Sequence, residues 1–191
     1  MRTLGHEIGA GSSFVRGVVV DVDRFRIGSN VQVGPRNVLA VEHLDVGDDC
    51  NLGPGNHLMG RAWYAEGSDL ANSIRIGHRV GITPGHHLDA PFGIEIGDDT
   101  WIAGCNSSFW THGGGREQGP ITIGADCYVA SEVRVSTGVT IGEGSFVALA
   151  SVVTESCPPR SLLAGHPAVV KRSEHGWRAA DPVAGSVRPS G

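Results

Sequence analysis

The sequence predicts an all-β protein that winds as a parallel β-helix, and three observations predict this fold. Pairs of an aliphatic residue and a glycine recur along the chain, aliphatic residues within several segments fall at every sixth position, and glycine is abundant. The chain holds 29 glycines in 191 residues, which is about twice the usual share of roughly 7%. Together these features indicate very short strands separated by regular turns.

The aliphatic–glycine pairs define the length of one repeat. Successive pairs lie 19, 19, 30, 20, 27 and 18 residues apart, so a unit of 18 residues with two real insertions accounts for the whole series. About seven coils are therefore expected. The pairs are Ile8-Gly9, Ile27-Gly28, Val46-Gly47, Ile76-Gly77, Ile96-Gly97, Ile123-Gly124 and Ile141-Gly142.

Each repeat divides further into units of six residues. Neither an α-helix nor an amphipathic strand has this period, whereas a triangular coil with three short strands per turn does. Such a coil cannot bury its apolar face alone, so successive coils must stack. A β-sandwich is the alternative, but it would not keep a six-residue register over thirty residues. The residues predicted to point inward are Ile76, Ile82, Ile102, Ile123, Val129, Val135, Ile141 and Val147.

Composition narrows the class of protein. The net charge of −5 argues against a broad nucleic-acid surface, and the sequence has no apolar run long enough for a transmembrane helix. The four cysteines match no zinc-site spacing, so we expect reduced thiols in a cytoplasmic protein. They are Cys50, Cys105, Cys127 and Cys157.

The C-terminal half resembles a known family. The segments "PITIG" at 120–124, "GVTIGEGSFV" at 138–147, "SVVTESCPP" at 151–159 and "AGHPAVV" at 164–170 resemble the hexapeptide-repeat acyltransferases. The resemblance implies a left-handed coil over residues 1–172, although the general rule for parallel crossovers favours the right-handed form, and a partly flexible tail over 173–191. It also implies a homotrimer with its active site between subunits, acetyl-CoA or another acyl-CoA as the donor substrate, no permanently bound cofactor and no metal.

The same resemblance singles out His112, which stands in "FWTHGGGREQGPITIG" at 109–124. Family members carry a catalytic histidine in such a loop, just before the P-I-x-I-G return. Acyl transfer to a hydroxyl needs a base, and a neutral imidazole suits that role near neutral pH. The thiol leaves without strong acid help, so no cysteine acyl-enzyme is required. The orienting partner is open between Glu117 and a backbone carbonyl, and without the resemblance His112 would read as an ordinary loop histidine.

Further residues are expected to contact the substrates. The candidates for acceptor contact are Thr83, His86, His87, Asp89 and Trp110, although the histidines also suit an ordinary surface. The family positions along the pantetheine arm of the donor match Ala130, Ala148 and Ser151, and the candidates for its phosphates are Arg160, Lys171 and Arg172. The insertion at 60–73 suits either a sugar-facing loop or a loop packed on the outside of the coil. Departures from the family pattern are Gly113–Gly115 after the histidine, Glu155 in place of a lysine and His166 in place of an asparagine.

The resemblance favours a compact sugar O-acetyltransferase, a substrate assignment that fold alone supports weakly. An N-acetyltransferase of an amino sugar or small amine is the main alternative. A metal-dependent hydratase of the carbonic-anhydrase type would need an H-x-x-x-x-H spacing that the chain lacks. A non-catalytic β-helix scaffold is the last alternative, and His112 in a glycine-rich loop argues against it.

Overall fold

Three sheets form the three faces of a triangular prism, and their strands are parallel except for the last pair of the second sheet, Leu162–Gly165 and Ala168–Arg172, which is antiparallel. The structure, a computed structural model, describes residues 5–62, 65, 70–113 and 118–177. Each turn of the chain contributes one strand to each sheet, and seven complete coils stack in this way. The fold is the predicted left-handed parallel β-helix.

The strands are numbered in chain order. The first sheet contains β1 (Glu7–Ile8), β4 (Arg24–Ile27), β7 (His43–Val46), β10 (Ser73–Ile76), β13 (Ile94–Ile96), β16 (Ile121–Ile123) and β19 (Thr140–Ile141). The second contains β2 (Ser13–Phe14), β5 (Gln32–Val33), β8 (Asn51–Leu52), β11 (Gly81–Ile82), β14 (Trp101–Ile102), β17 (Tyr128–Val129), β20 (Phe146–Val147), β22 (Leu162–Gly165) and β23 (Ala168–Arg172). The third contains β3 (Val19–Val20), β6 (Val38–Val41), β9 (His57–Gly60), β12 (His87–Asp89), β15 (Ser108–Trp110), β18 (Arg134–Val135) and β21 (Val152–Val153).

The core is the stack of inward-facing aliphatic side chains. All eight residues predicted to point inward are at most 4% exposed, which confirms the six-residue register. In the first sheet Ile76 lies beside Ile96, and Ile96 lies beside Ile123. The terminal coil has a neighbour on one side only, so Ile8 of that coil is 54% exposed.

The repeat glycine is required by close packing between coils. A Cβ added at Gly97 would lie 2.4 Å from the backbone nitrogen of Ala125 in the next coil. The left-handed backbone of the same corner falls two residues later, for example at Asp99 with φ of 58°. The glycine after each aliphatic residue therefore makes room for the neighbouring coil, and Asn or Asp adopts the left-handed angle of the turn in most coils.

A ladder of buried polar side chains runs inside the corner between the second and third sheets. The Asn37 side chain accepts a hydrogen bond from the backbone N–H of Asn56, and Asn56 accepts one from His86. His86 in turn accepts one from Ser107, and Ser107 accepts one from Val133. Each rung satisfies a backbone donor of the next coil, so these polar groups stabilise the stack although they are buried.

Both insertions leave the coil at the corner between the third and first sheets, after β9 and after β15. Ala62 and Ala65 of the first insertion pack against Phe92, so its described part lies on the outside of the coil. The remainder of that insertion, residues 63–64 and 66–69, lies outside the described residues, as do Glu117 in the second insertion and the tail from 178 onward. The described start of the tail packs on the second sheet, where Trp177 donates a hydrogen bond to the main-chain oxygen of Asp126.

Candidate active site

The centre of the candidate site is a hydrogen-bonded pair formed by His112 and Asp89. The Nε2 atom of His112 lies 2.8 Å from Oδ2 of Asp89, and the two side chains are 32% and 16% exposed. An ionised carboxylate can only accept a hydrogen bond, so Nε2 carries the ring proton and Nδ1 holds the free lone pair. The pair thus leaves Nδ1 as the ring nitrogen that can accept a proton.

The coil register brings these two residues together. Asp89 ends β12 and lies beside Trp110, the last residue of β15. Thr111 follows, and both its N–H and its hydroxyl donate to the main-chain oxygen of Asp89, at 3.1 and 3.0 Å. His112 then pairs its backbone with Gln118 across the neck of the insertion. The loop is therefore fixed at its base, and its histidine points back toward the preceding coil.

A cavity of about 430 Å³ opens beside the pair. Its apolar lining comes from Ala40, Met59, Ala62 and Pro91, and its polar lining comes from Asp89, His112 and Arg61. This combination of apolar walls and a few polar groups is typical of a small-molecule site. A second groove of about 310 Å³ lies on the outer face of the first sheet, around Arg75 and Glu95, and holds none of the predicted site residues.

His87 and Trp110 continue the site along the outer face of the third sheet. Their rings lie 4.9 Å apart, and the Trp110 ring meets His112 edge-on at 6.1 Å. Burial lowers the pKa of His87, whereas the charge of Asp89 acts in the opposite direction. Trp110 is 41% exposed, so this face presents an aromatic surface next to the His112–Asp89 pair.

Thr83 and His86 lie away from this cavity, at the corner between the second and third sheets. His86 is 1% exposed and forms a rung of the polar ladder. Its Nε2 atom lies 3.1 Å from the hydroxyl of Thr83, which itself contacts main-chain oxygens of the next coil. Burial lowers the pKa of His86 to about 4. His86 therefore supports the coil from within and cannot reach an acceptor, which corrects the expectation for this residue. Thr83 is half-buried, and its contact with an acceptor stays a prediction.

The predicted donor positions lie at another corner of the prism. Ala130 and Ala148 follow β17 and β20, where the second sheet turns into the third, and their N–H groups bond to Val147 and Leu163 of the next turn. Ser151 is fully buried, and its hydroxyl accepts a hydrogen bond from Gly165. The side chain of Ser151 is thus enclosed in the coil, and the contact of these three positions with the donor stays a prediction.

The basic candidates stand at the C-terminal end of the coil. Lys171 and Arg172 are exposed on β23, and Arg160 forms an ion pair with Glu174 at 2.9 Å. These residues share the end of the prism that holds Ala148. Their role toward a phosphate stays a prediction.

The cavity also contains Ala40 and Met59, which the sequence alone did not identify. Ala40, Met59, Asp89 and Trp110 stand in one row across β6, β9, β12 and β15. The six-residue register could have shown this row, because each member follows an inward-facing residue by one position. Arg61 could not be placed in this way, since it belongs to the insertion.

Other kinds of site find no support in the described part of the chain. No group of three or more His, Cys, Asp or Glu residues is arranged there to hold a metal ion. The described part of the chain also forms no helix that is long and apolar enough to span a bilayer. Of the four free cysteines, Cys105 lies in an exposed turn and the other three are buried.

Comparison with known proteins identifies the family. A crystal structure of a hexapeptide-repeat-containing acetyltransferase from Vibrio cholerae O1 biovar eltor, in complex with acetyl-CoA, is 30% identical over 67% of this chain and 69% of that one, with a TM-score of 0.56. The chain belongs to the hexapeptide-repeat acetyltransferase family. A second structure of the Vibrio cholerae family member gives a TM-score of 0.58 at 29% identity, over 68% of this chain and 73% of that one.

Two further matches are less informative about the family, because one covers a short segment and the other has low sequence identity. A provisionally named acetyltransferase of Staphylococcus aureus strain MRSA252 is 48% identical over 59 residues, which is 31% of this chain. That match spans only 30% of the curated relative. A UDP-N-acetylglucosamine acyltransferase from Campylobacter jejuni is 17% identical over 94% of this chain and 68% of that one, with a TM-score of 0.62, and shows the fold alone. No family model matches the chain.

Proposed function

We propose that this protein transfers an acetyl group from acetyl-CoA to a sugar hydroxyl, with His112 as the general base. The observation that carries the proposal is the hydrogen bond between His112 and Asp89 at the edge of the cavity. Membership of the acetyltransferase family supports the reaction class. The acetyl-CoA complex of the relative from Vibrio cholerae supports the donor.

The proposed reaction needs one proton acceptor and one leaving group. Nδ1 of His112 takes the proton of the acceptor hydroxyl as the hydroxyl oxygen attacks the thioester carbonyl. The carbon–sulfur bond then breaks, and the thiolate of CoA leaves with the proton that the imidazolium returns. Asp89 stabilises the imidazolium between these steps, because its carboxylate bonds to the other ring nitrogen. Asp89 is thus the orienting partner in this proposal, in place of Glu117 or a carbonyl.

The cavity and the predicted acetyl-CoA positions lie in different parts of the prism, which supports separate binding sites for the acceptor and the donor. The cavity residues Ala40, Met59 and Asp89 belong to the second, third and fourth coils, on the N-terminal side of His112. Ala130 and Ala148 belong to the sixth and seventh coils, at a different corner of the prism. A neighbouring chain could present its donor corner to His112, and on this ground we propose a homotrimer whose subunits complete one another's sites.

The test is an acceptor screen that follows the release of free CoA thiol. Sugars and their amino-sugar counterparts are offered in pairs with acetyl-CoA, and the products are treated with mild hydroxylamine, which cleaves esters and leaves amides intact. An ester on a sugar supports the proposal. An amide product would instead establish the N-acetyltransferase alternative, and thiol release that no acceptor stimulates would contradict acetyl transfer to any member of the panel.

A further inference from the structure

Arg61 is the cation of the proposed acceptor cavity, and two aspartates of the first coil hold it in place. Its Nη2 atom donates to Oδ1 of Asp23 at 2.8 Å and to Oδ1 of Asp21 at 3.1 Å. Nε and Nη2 also donate to the main-chain oxygen of Asp21, at 3.4 and 3.1 Å. The start of the first insertion is thereby tied to a turn that lies about forty residues earlier in the chain.

The charges around Arg61 are predominantly negative. Among the described residues, Arg61 faces the carboxylates of Asp21, Asp23 and Glu42, and Asp89 lies in the cavity wall. The hydrogen bond that Arg61 donates to Asp23 raises the pKa of Arg61, and the nearby charges of Asp21 and Glu42 act in the same direction. The positive charge of the guanidinium is thus already paired with two carboxylates of its own chain.

We propose that this cavity takes a neutral glycosyl acceptor, one that carries no phosphate or carboxylate next to its reacting hydroxyl. The proposal rests on the proposed function, because it takes the cavity beside His112 as the acceptor site. An anionic acceptor would be repelled by the carboxylates and would have to displace Asp23 from Arg61. Neutral hydroxyl groups can instead accept from the guanidinium without displacing these carboxylates, while the C–H face of a sugar packs on Met59 and Ala62.

Matched acceptors that differ only in charge test the proposal by activity. The methyl glycoside of a hexose is compared with the corresponding hexose phosphate and uronic acid, at fixed ionic strength. We expect kcat/KM to be at least about tenfold higher for the neutral member, a difference of about 1.4 kcal/mol. Asp23→Asn should narrow this gap. The matched control is Glu7→Gln, which also removes one carboxylate from an exposed ion pair with an arginine. That arginine, Arg26, does not line the cavity whereas Arg61 does, so the control should leave the gap unchanged. Preference for the anionic member in the wild-type protein would overturn the proposal.

A binding measurement decides the proposal even when no acceptor is turned over. Inorganic phosphate is added to labelled protein, and the side-chain Nε–H signal of Arg61 is followed by NMR. We expect no saturable shift in the wild-type protein and a saturable shift when both Asp21→Asn and Asp23→Asn are present, because only then is the guanidinium available to an anion. Saturable binding of phosphate at Arg61 of the wild-type protein would overturn the proposal. Exclusion of phosphate without turnover of any acceptor would contradict the proposed function, while it would still support the exclusion of anions from this cavity.

Discussion

The buried histidine of the polar ladder should make the stability of the fold depend on pH. His86 is neutral in the folded protein because burial lowers its pKa from 6.5 to about 4. A protonated ring would also set an N–H donor against the N–H of Ser107, which now donates to Nδ1. In the unfolded chain the same imidazole takes up a proton near pH 6.5. Below that pH the unfolded state therefore binds more protons than the folded state, and stability falls as the pH falls.

The size of the effect follows from the two pKa values. Each tenfold change in proton affinity corresponds to about 1.4 kcal/mol, so lowering the pKa from 6.5 to about 4 removes about 3 kcal/mol of stability by pH 4. The loss begins as the pH drops below 6.5 and is complete once the folded-state pKa is passed.

The perturbation is His86→Asn, because asparagine already serves as the rung of this ladder at positions 37 and 56. The free energy of unfolding by urea is measured for both proteins between pH 7 and pH 4, at one protein concentration. We expect the wild-type protein to lose about 3 kcal/mol more than the variant over that range. Equal slopes for the two proteins would refute the account of His86 as a buried, neutral rung.

Two further predictions concern the site and the corners of the coil. Asp89→Asn should lower kcat by roughly ten- to a thousandfold, because the amide cannot stabilise the imidazolium as the carboxylate does. Steady-state kinetics of this variant are compared with those of Asp45→Asn, which removes a carboxylate on the first sheet. An unchanged kcat in Asp89→Asn would exclude Asp89 from the mechanism. Gly97→Ala should destabilise the fold by about 1–3 kcal/mol, because its Cβ would meet the backbone of the next coil. Thermal unfolding of this variant beside Gly5→Ala, which has open space around its Cβ, measures the cost, and similar midpoints for the two would contradict the packing argument.

The interior of the coil could be predicted from the sequence because it depends on one repeating distance. A side chain at every sixth position must face the axis of a triangular coil, so the burial of Ile102 and Val129 follows from spacing alone. The function of the repeat glycines does not follow in the same way. Spacing shows that Gly97 recurs, but only the distance to the next coil shows that it is needed for close approach rather than for a left-handed backbone angle.

The site was harder to predict because it depends on which way each side chain points. His86, His87 and Asp89 are neighbours in sequence, yet His86 faces the interior while His87 and Asp89 face outward. Because His86 points inward, it forms a rung of the polar ladder and does not contact an acceptor. Because Asp89 points outward, it can bond to His112. The pairing of Arg61 with Asp23 could not be predicted from the sequence, since it joins an insertion to a distant turn and follows no repeat.

The central claim is that His112 acts as the general base, and the kinetics of His112→Ala test it most directly. The variant is compared with the wild-type protein and with His57→Ala, an exposed histidine on the same sheet, using an acceptor identified in the screen. We expect kcat to fall by roughly 10²–10⁴-fold in His112→Ala alone, with little change in the KM for acetyl-CoA and with partial recovery when free imidazole is added. A kcat for His112→Ala close to that of the wild-type protein would contradict the claim.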